Sequence, residues 1–252
     1  MSTIYLINPF LTDATAPPAD PDLVLHLAAR LETGYSNNDP MATLVDFSTA
    51  GNDFTQGTGA SQPLYQTGVL NGQPGFFFDG TDDYVSIPAF MTGDAELWLV
   101  LKINSTASLK GAYKFNGGTD ADHMSFAGTV YTSFGSASRY SYTPSPTSNL
   151  TDGMIHIVQA KAGASQYIVY ENGNNVKITQ SPTQQWSGGS SPVHLIGASS
   201  VGANGSPAGG TNQNYHGHYC ELRIYSSPRS TAQRNAILAE FNALYGIAVT
   251  NF

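Results

Sequence analysis

The chain has 252 residues, a formal net charge of −8, and 11% charged against 40% hydrophobic side chains. That hydrophobic share builds a sizeable core and excludes disorder, which needs few apolar residues and a high net charge. Ten lysines and arginines without a basic run argue against nucleic acid and against attraction to an anionic membrane surface, because neutralising phosphates needs clustered cations; membrane insertion is not expected either.

The chain opens Met1-Ser2-Thr3-Ile4-Tyr5-Leu6-Ile7, with neither the basic start nor the long apolar stretch of a signal peptide. No apolar run reaches the ~20 residues that cross a bilayer. Residues 1–22 read as an N-terminal arm or linker: Ile4 to Ile7 is a short strand, and Pro17, Pro18 and Pro21 make an extended connection. One domain is expected over residues 23–252. Within it, Leu97, Leu99, Leu101 and Ile103 alternate with Trp98, Val100 and Lys102, the period of a strand. Met154 to Ala160 is a second strand. Gln166 to Glu171 and Val176 to Thr179 flank Asn172-Gly173, a pair that supplies the positive φ of a tight hairpin. His218 to Tyr225 is a further strand, with Cys220, Leu222 and Ile224 expected on one face. Cys220 is the only cysteine, which rules out an internal disulfide.

One helix follows. Ser230 and Gln233 form a capping box, Ile237, Leu238, Phe241, Leu244 and Tyr245 share a face, and Gly246 suits the stop. Many short strands cut by turn residues, with one helix at the end, predict an all-β, two-sheet antiparallel jelly-roll sandwich with a C-terminal α-helix.

Several segments carry a resemblance. Leu23-Val24-Leu25-His26-Leu27, Asp46-Phe47-Ser48 with Gly51-Asn52-Asp53, and above all Phe78-Asp79-Gly80-Thr81-Asp82-Asp83-Tyr84-Val85 are similar to laminin G-like jelly rolls of the concanavalin A-like lectin and glucanase superfamily. Asp152 to Val158, Tyr170-Glu171-Asn172-Gly173, Gly217 to Tyr225 and the ending Tyr245-Gly246-Ile247 extend the likeness over roughly residues 23–247. Family members often carry tryptophan where this chain has Leu44 and Ile155; both replacements are apolar, so the expected fold stands.

Glycosidases of this superfamily need two carboxylates across the scissile bond, and its glucanases present them as Glu-x-Asp-x-x-Glu. The five glutamates here, Glu32, Glu96, Glu171, Glu221 and Glu240, do not form that pattern; Asp94 and Glu96 stand two apart without a third acid. No Gly-x-Ser-x-Gly elbow is present. The expectation is therefore no enzyme, no catalytic residue and no cofactor. Asp79, Asp82 and Asp83 carry two readings: carboxylates that bond backbone N–H groups in a turn, or oxygen ligands of a structural calcium. His216 and His218, with Cys220, fall short of a zinc set.

Binding residues are sought in polar loops, where an exposed ring stacks on the apolar face of a sugar and amides bond its hydroxyls. The candidates are Asn116, Asp120, Asp122 and His123 in one loop, Trp186 in a second, and Asn204, Asn212, Asn214 and Tyr215 in a third. A surface-type fold without an export signal leads to the expectation of a non-enzymatic bacteriophage protein on the virion surface (head decoration, fibre or tail module). Its expected partners are other virion subunits or copies of itself, and a host-cell glycan. The alternative is a carbohydrate-binding module of an adhesin or secreted protein, extracellular or on a cell surface. A glycoside hydrolase is the remaining reading.

Overall fold

The computed structural model describes residues 20–90, 95–104, 110–115, 123–126, 129–132, 140–142, 153–160, 167–175, 193–198 and 214–252. In chain order the strands are β1 (Leu23–Ala28), β2 (Asp39–Pro40), β3 (Thr43–Leu44), β4 (Phe54–Thr55), β5 (Leu64–Leu70), β6 (Gln73–Asp79), β7 (Val85–Pro88) and β8 (Ala95–Ile103). They continue with β9 (Lys110–Lys114), β10 (His123–Phe126), β11 (Thr129–Thr132), β12 (Tyr140–Tyr142), β13 (Met154–Ala160), β14 (Tyr167–Glu171), β15 (Asn174–Asn175), β16 (Val193–Ile196) and β17 (His216–Tyr225). One α-helix, α1 (Thr231–Tyr245), follows. Among the described residues the strands form two sheets. The larger runs β15-β14-β13-β8-β17-β6-β5-β2, with β1 also on β17; the smaller runs β12-β11-β10-β9-β16-β7-β4-β3. Every strand pairing is antiparallel, so the expected two-sheet jelly-roll sandwich with a C-terminal helix is the observed fold.

β8 shows how the layers form. Leu97, Leu99, Leu101 and Ile103 enter the core between the sheets, with Leu25, Phe76, Phe78 and Ile224 from their own sheet and Phe54, Val85 and Ile196 from the other. The alternate residues Trp98 and Val100 face outward, yet they are buried as well. With Ile155, Ile157 and Cys220 they form a second core under Ile237, Leu238, Phe241 and Tyr245 of α1. Each large side chain buried there contributes about 1.5–3 kcal/mol. Leu44 and Ile155 are buried, one in each core.

The expectation that Cys220, Leu222 and Ile224 share a face is corrected by a bulge. The register of β17 on β8 slips between Tyr219↔Leu101 and Glu221↔Val100, so Cys220 is an extra residue. A bulge sets two residues against one and shifts the alternation of everything beyond it. Tyr219, Leu222 and Ile224 therefore point between the sheets, while Cys220 packs under the helix. The bulge also marks where β17 changes neighbours: His216 to Tyr219 pair with β6, and Glu221 to Tyr225 pair with β1.

The hairpin and the helix follow the expected local rules. Asn172 (φ 50°) and Gly173 (φ 85°) join β14 to β15, the pair of positive φ values that a two-residue turn requires. Val176 to Thr179 lie outside the described residues. Ser230 accepts from the Gln233 N–H, and the Gln233 side chain accepts from the Ser230 N–H at 2.9 Å; Gly246 ends the helix at φ 68°. Asp20 and Asp22, at the end of the expected arm, both pair with Arg229 just before α1, which ties this stretch to the sandwich. Residues 1–19 lie outside the described set.

Candidate functional site

The two sequence signatures build turns. Asp46 accepts the N–H groups of His26, Ser48 and Asn52 and the Ser48 hydroxyl, while Asp53 accepts the Asp46 N–H. In the second signature Asp79 accepts from Thr81 N–H at 2.7 Å, Asp83 from Asp79 N–H at 2.8 Å, and Asp82 from the Ser61 hydroxyl at 2.9 Å. These three carboxylates offer oxygens within 4.8 Å of one another. That spacing is compatible with an ion, but each group already accepts a hydrogen bond, Asp79 and Asp83 within the turn and Asp82 from Ser61.

Burial, and then the neighbouring carboxylates of Asp79 and Asp82, push the Asp83 carboxyl up to about 7 against the Asp79 N–H bond, which lowers it. A folded-state value above the unfolded 3.8 means that the fold favours the protonated acid. The resulting stability is present in full below the unfolded value and is lost as pH rises through about 7. Melting profiles should therefore show wild type losing ground to Asp83→Asn between pH 5 and pH 8. A constant gap between the two proteins across that range would contradict this assignment.

The glutamates hold the helix to the sheet. Glu221, fully buried, accepts from His26 Nε2 (2.7 Å), Arg30 Nε (3.1 Å), Arg223 Nε (2.7 Å) and the Tyr245 hydroxyl (2.6 Å). Glu96 accepts from Arg234, Trp98 Nε1 and the Arg229 N–H. Glu32 accepts the Val45 N–H, Glu240 pairs with Arg223, and Glu171 is buried beside the hairpin turn. A glycosidase acid must meet its substrate. Glu96 and Glu221 would have to break buried ion pairs to do so. Asp94 lies outside the described residues.

Among the described residues, helix α1 packs on only part of the outer face of the larger sheet. On the remainder, cross-strand register places one row of outward-facing residues over five neighbouring strands. Lys102 on β8 lies opposite His218 on β17, His218 opposite Phe77 on β6, Phe77 opposite Leu64 on β5, and Leu64 opposite Pro40 on β2. With strands about 4.8 Å apart, the row is about 19 Å long. Phe77 and Leu64 belong to neither core and are partly exposed, as is Lys102; Pro40 is exposed. Phe77 contacts both imidazoles, with ring centroids 5.0 Å from His218 and 6.0 Å from His216.

A polar relay fixes this floor. Gln66 Nε2 donates to Asn38 Oδ1 at 3.1 Å, which leaves its Oε1 to accept from His218 Nε2 at 2.8 Å. Burial, then the Lys102 ammonium and His216, lower His218 to about 4, so it is uncharged at neutral pH. Val69 closes one side, because a Cβ on Gly75 would stand 3.3 Å from both its methyl group and the His218 Cβ. The face thus offers a ring, imidazoles, an ammonium and the Asp79 carboxylate, a combination able to stack and hydrogen-bond a polyol.

The loop residues named from the sequence are placed differently. Asn116, Asp120, Asp122, Trp186, Asn204 and Asn212 lie outside the described residues. His123 begins β10, opposite Thr132 and Tyr113. Asn214 is partly buried and donates its amide to the Thr81 carbonyl. Tyr215 is no exposed loop ring: it is fully buried, and its hydroxyl donates to the carbonyls of Lys102 (3.1 Å) and His218 (3.2 Å). Sequence reasoning overlooked Phe77, Leu64, Gln66 and Lys102 as a face. The signal was the run Phe76-Phe77-Phe78: if its outer two members point inward, the middle one must point out.

No protein-family model and no curated protein matches the chain. Among solved structures it is similar to the binding domain of Paraclostridial Mosquitocidal Protein 1, with TM-score 0.60 and 10% identity over 88% of this chain and 53% of that one. It is also similar to Trypanosoma rangeli sialidase in complex with sialic acid, with TM-score 0.56 and 14% identity over 90% of this chain and 34% of that one. A third is the binding domain of Botulinum Neurotoxin DC in complex with SialylT, with TM-score 0.54 and 11% identity over 87% of this chain and 51% of that one. The chain thus spans between about a third and a half of these structures. Its two antiparallel sheets and these likenesses give it a two-sheet antiparallel jelly-roll β-sandwich fold.

Proposed function

We propose that the chain is a non-catalytic carbohydrate-binding module whose ligand lies on the uncovered outer face of the larger sheet. The observation that carries this reading is the row Lys102, His218, Phe77, Leu64 and Pro40, an aromatic surface flanked by hydrogen-bonding groups where the helix leaves the sheet open. Supporting it, two of the similar structures were solved with sialic acid or SialylT bound, and two are binding domains of longer proteins. In this reading the module delivers a larger protein or assembly to a glycan-bearing surface.

Glycan-array binding with wild type and Phe77→Ala tests it. Wild type should bind at least one glycan, and the variant should bind it about tenfold or more weakly, because the stacking ring is gone. The variant should stay folded, since Phe77 lies outside both cores. Unchanged glycan binding by Phe77→Ala would remove this face from the account.

Leu64 and Pro40 favour a second reading, because aliphatic side chains at one end of the row suit a protein partner. That partner is a second copy of the chain or a neighbouring subunit, as on a virion surface. Sedimentation over a hundredfold concentration range tests it: a closed oligomer that Leu64→Asp dissociates supports the reading, and a monomer throughout opposes self-association.

A further inference from the structure

We propose that this face selects sugars bearing a carboxylate, with Lys102 as the cation that pairs the acid while Phe77 supports the ring; the inference rests on the glycan reading above. The argument is one of charge placement. Arg30, Arg223 and Arg234 each pair with a carboxylate at or beneath the helix, and Arg229 pairs with Asp20 and Asp22 ahead of β1. Lys114 is buried. Lys102 is different: it stands at one end of the exposed row, and among the described residues it forms no ion pair. On a chain of net charge −8, an ammonium without a carboxylate partner among the described residues, one strand from His218 and two from Phe77, is a local exception to the prevailing field.

Its neighbours sharpen the selectivity. His218, next in the row, is uncharged near neutral pH, held so by burial and by Lys102 itself. Its Nε2–H is engaged by Gln66. The positive charge of the row therefore resides on Lys102. Asp79, the nearest carboxylate of this face along β6, sits one step beyond Phe77 in the outward-facing alternation and opposite His216, not Lys102. A ligand that rests on Phe77 and extends its acid along the row toward β8 meets the ammonium while keeping the Asp79 carboxylate to one side. A ligand without an acid makes the same ring contact and leaves Lys102 solvated.

The test separates charge from shape. Galacturonic acid oligomers and the same oligomers as methyl esters are titrated calorimetrically into wild type, Lys102→Met and Lys102→Arg at neutral pH and low salt; sialyllactose against lactose is a second pair. The acid should bind wild type about tenfold more tightly than its ester, the scale of one charge-assisted hydrogen bond. Lys102→Met should bring acid binding down to the level of the ester, and Lys102→Arg should retain the preference. The Lys102 backbone carbonyl, which anchors Tyr215, is untouched by either change. Equal binding of acid and ester by wild type, or a preference that survives Lys102→Met, overturns the acid selectivity but leaves the glycan reading standing. Binding of neither sugar pair overturns the selectivity, and a glycan array without hits then overturns the glycan reading as well.

Discussion

Replacing Glu221 with alanine is expected to lower the unfolding free energy by about 3–5 kcal/mol, the usual result of removing one partner from a buried ion pair. For a chain of this size the thermal midpoint should fall by roughly 6–20 °C. The reason is the traffic through one carboxylate. His26 Nε2, Arg30 Nε, Arg223 Nε and the Tyr245 hydroxyl all donate to it within 3.1 Å. Burial alone would raise the Glu221 carboxyl, yet Arg223, His26 and Arg30 outweigh that and hold it well below the ordinary carboxylate range. Alanine leaves Arg223, only 3% exposed, with one remaining carboxylate, Glu240, and leaves the buried His26 Nε2 and Tyr245 hydroxyl without the acceptor they share. Glu240→Ala is the control. Glu240 is 40% exposed, and its loss should cost no more than about 1 kcal/mol. Circular dichroism melts compare them, and equal losses for the two variants would contradict the account of the helix clamp.

Gly197→Ala is the second large effect, expected at about 2–4 kcal/mol from overpacking and a positive φ together. At φ +88°, a Cβ there would overlap the ring of Phe78 and stand 2.9 Å from the Asp83 carbonyl oxygen. Phe78 is fully buried, and the Gly197 backbone is fixed on both sides: its N–H donates to Ala112 and its carbonyl accepts from Tyr215. Neither neighbour can yield cheaply. Gly34→Ala separates the two causes, since Gly34 has φ +85° with nothing within 4 Å of an added Cβ. It should cost only about 1 kcal/mol. Urea denaturation measures both, and similar midpoints for the two variants would remove the packing argument.

Much of the fold is legible in local pattern. The alternation of β8, the Asn172-Gly173 turn and the Ser230–Gln233 capping box each depend on residues close in sequence, and each forms as expected. The Asp46 and Asp79 motifs were recognisable as signatures, and the structure supplies their physical content as self-bonded turns. What local pattern misses is long-range. The extra residue Cys220 reverses the alternation only because β8 pairs across it. The Arg234–Glu96 pair spans 138 positions. The candidate face is the clearest case. Parity turns Phe77 outward, but whether an outward residue is buried depends on which strands the helix covers, and Trp98 and Phe77 differ only in that. Tyr215, polar in its neighbourhood and near a long loop, is drawn into the core by two backbone carbonyls that sequence does not place.

The central claim is that ligand binding belongs to the uncovered outer face. Nitrogen-15 heteronuclear NMR, with the tightest-binding glycan of the array titrated into the labelled chain, tests it most directly. The expected result is that the largest shifts fall on Gln66, Phe77, Lys102, His216 and His218. Shifts confined to the segments around Asn116 to His123 or Trp186, with this row unmoved, would contradict it.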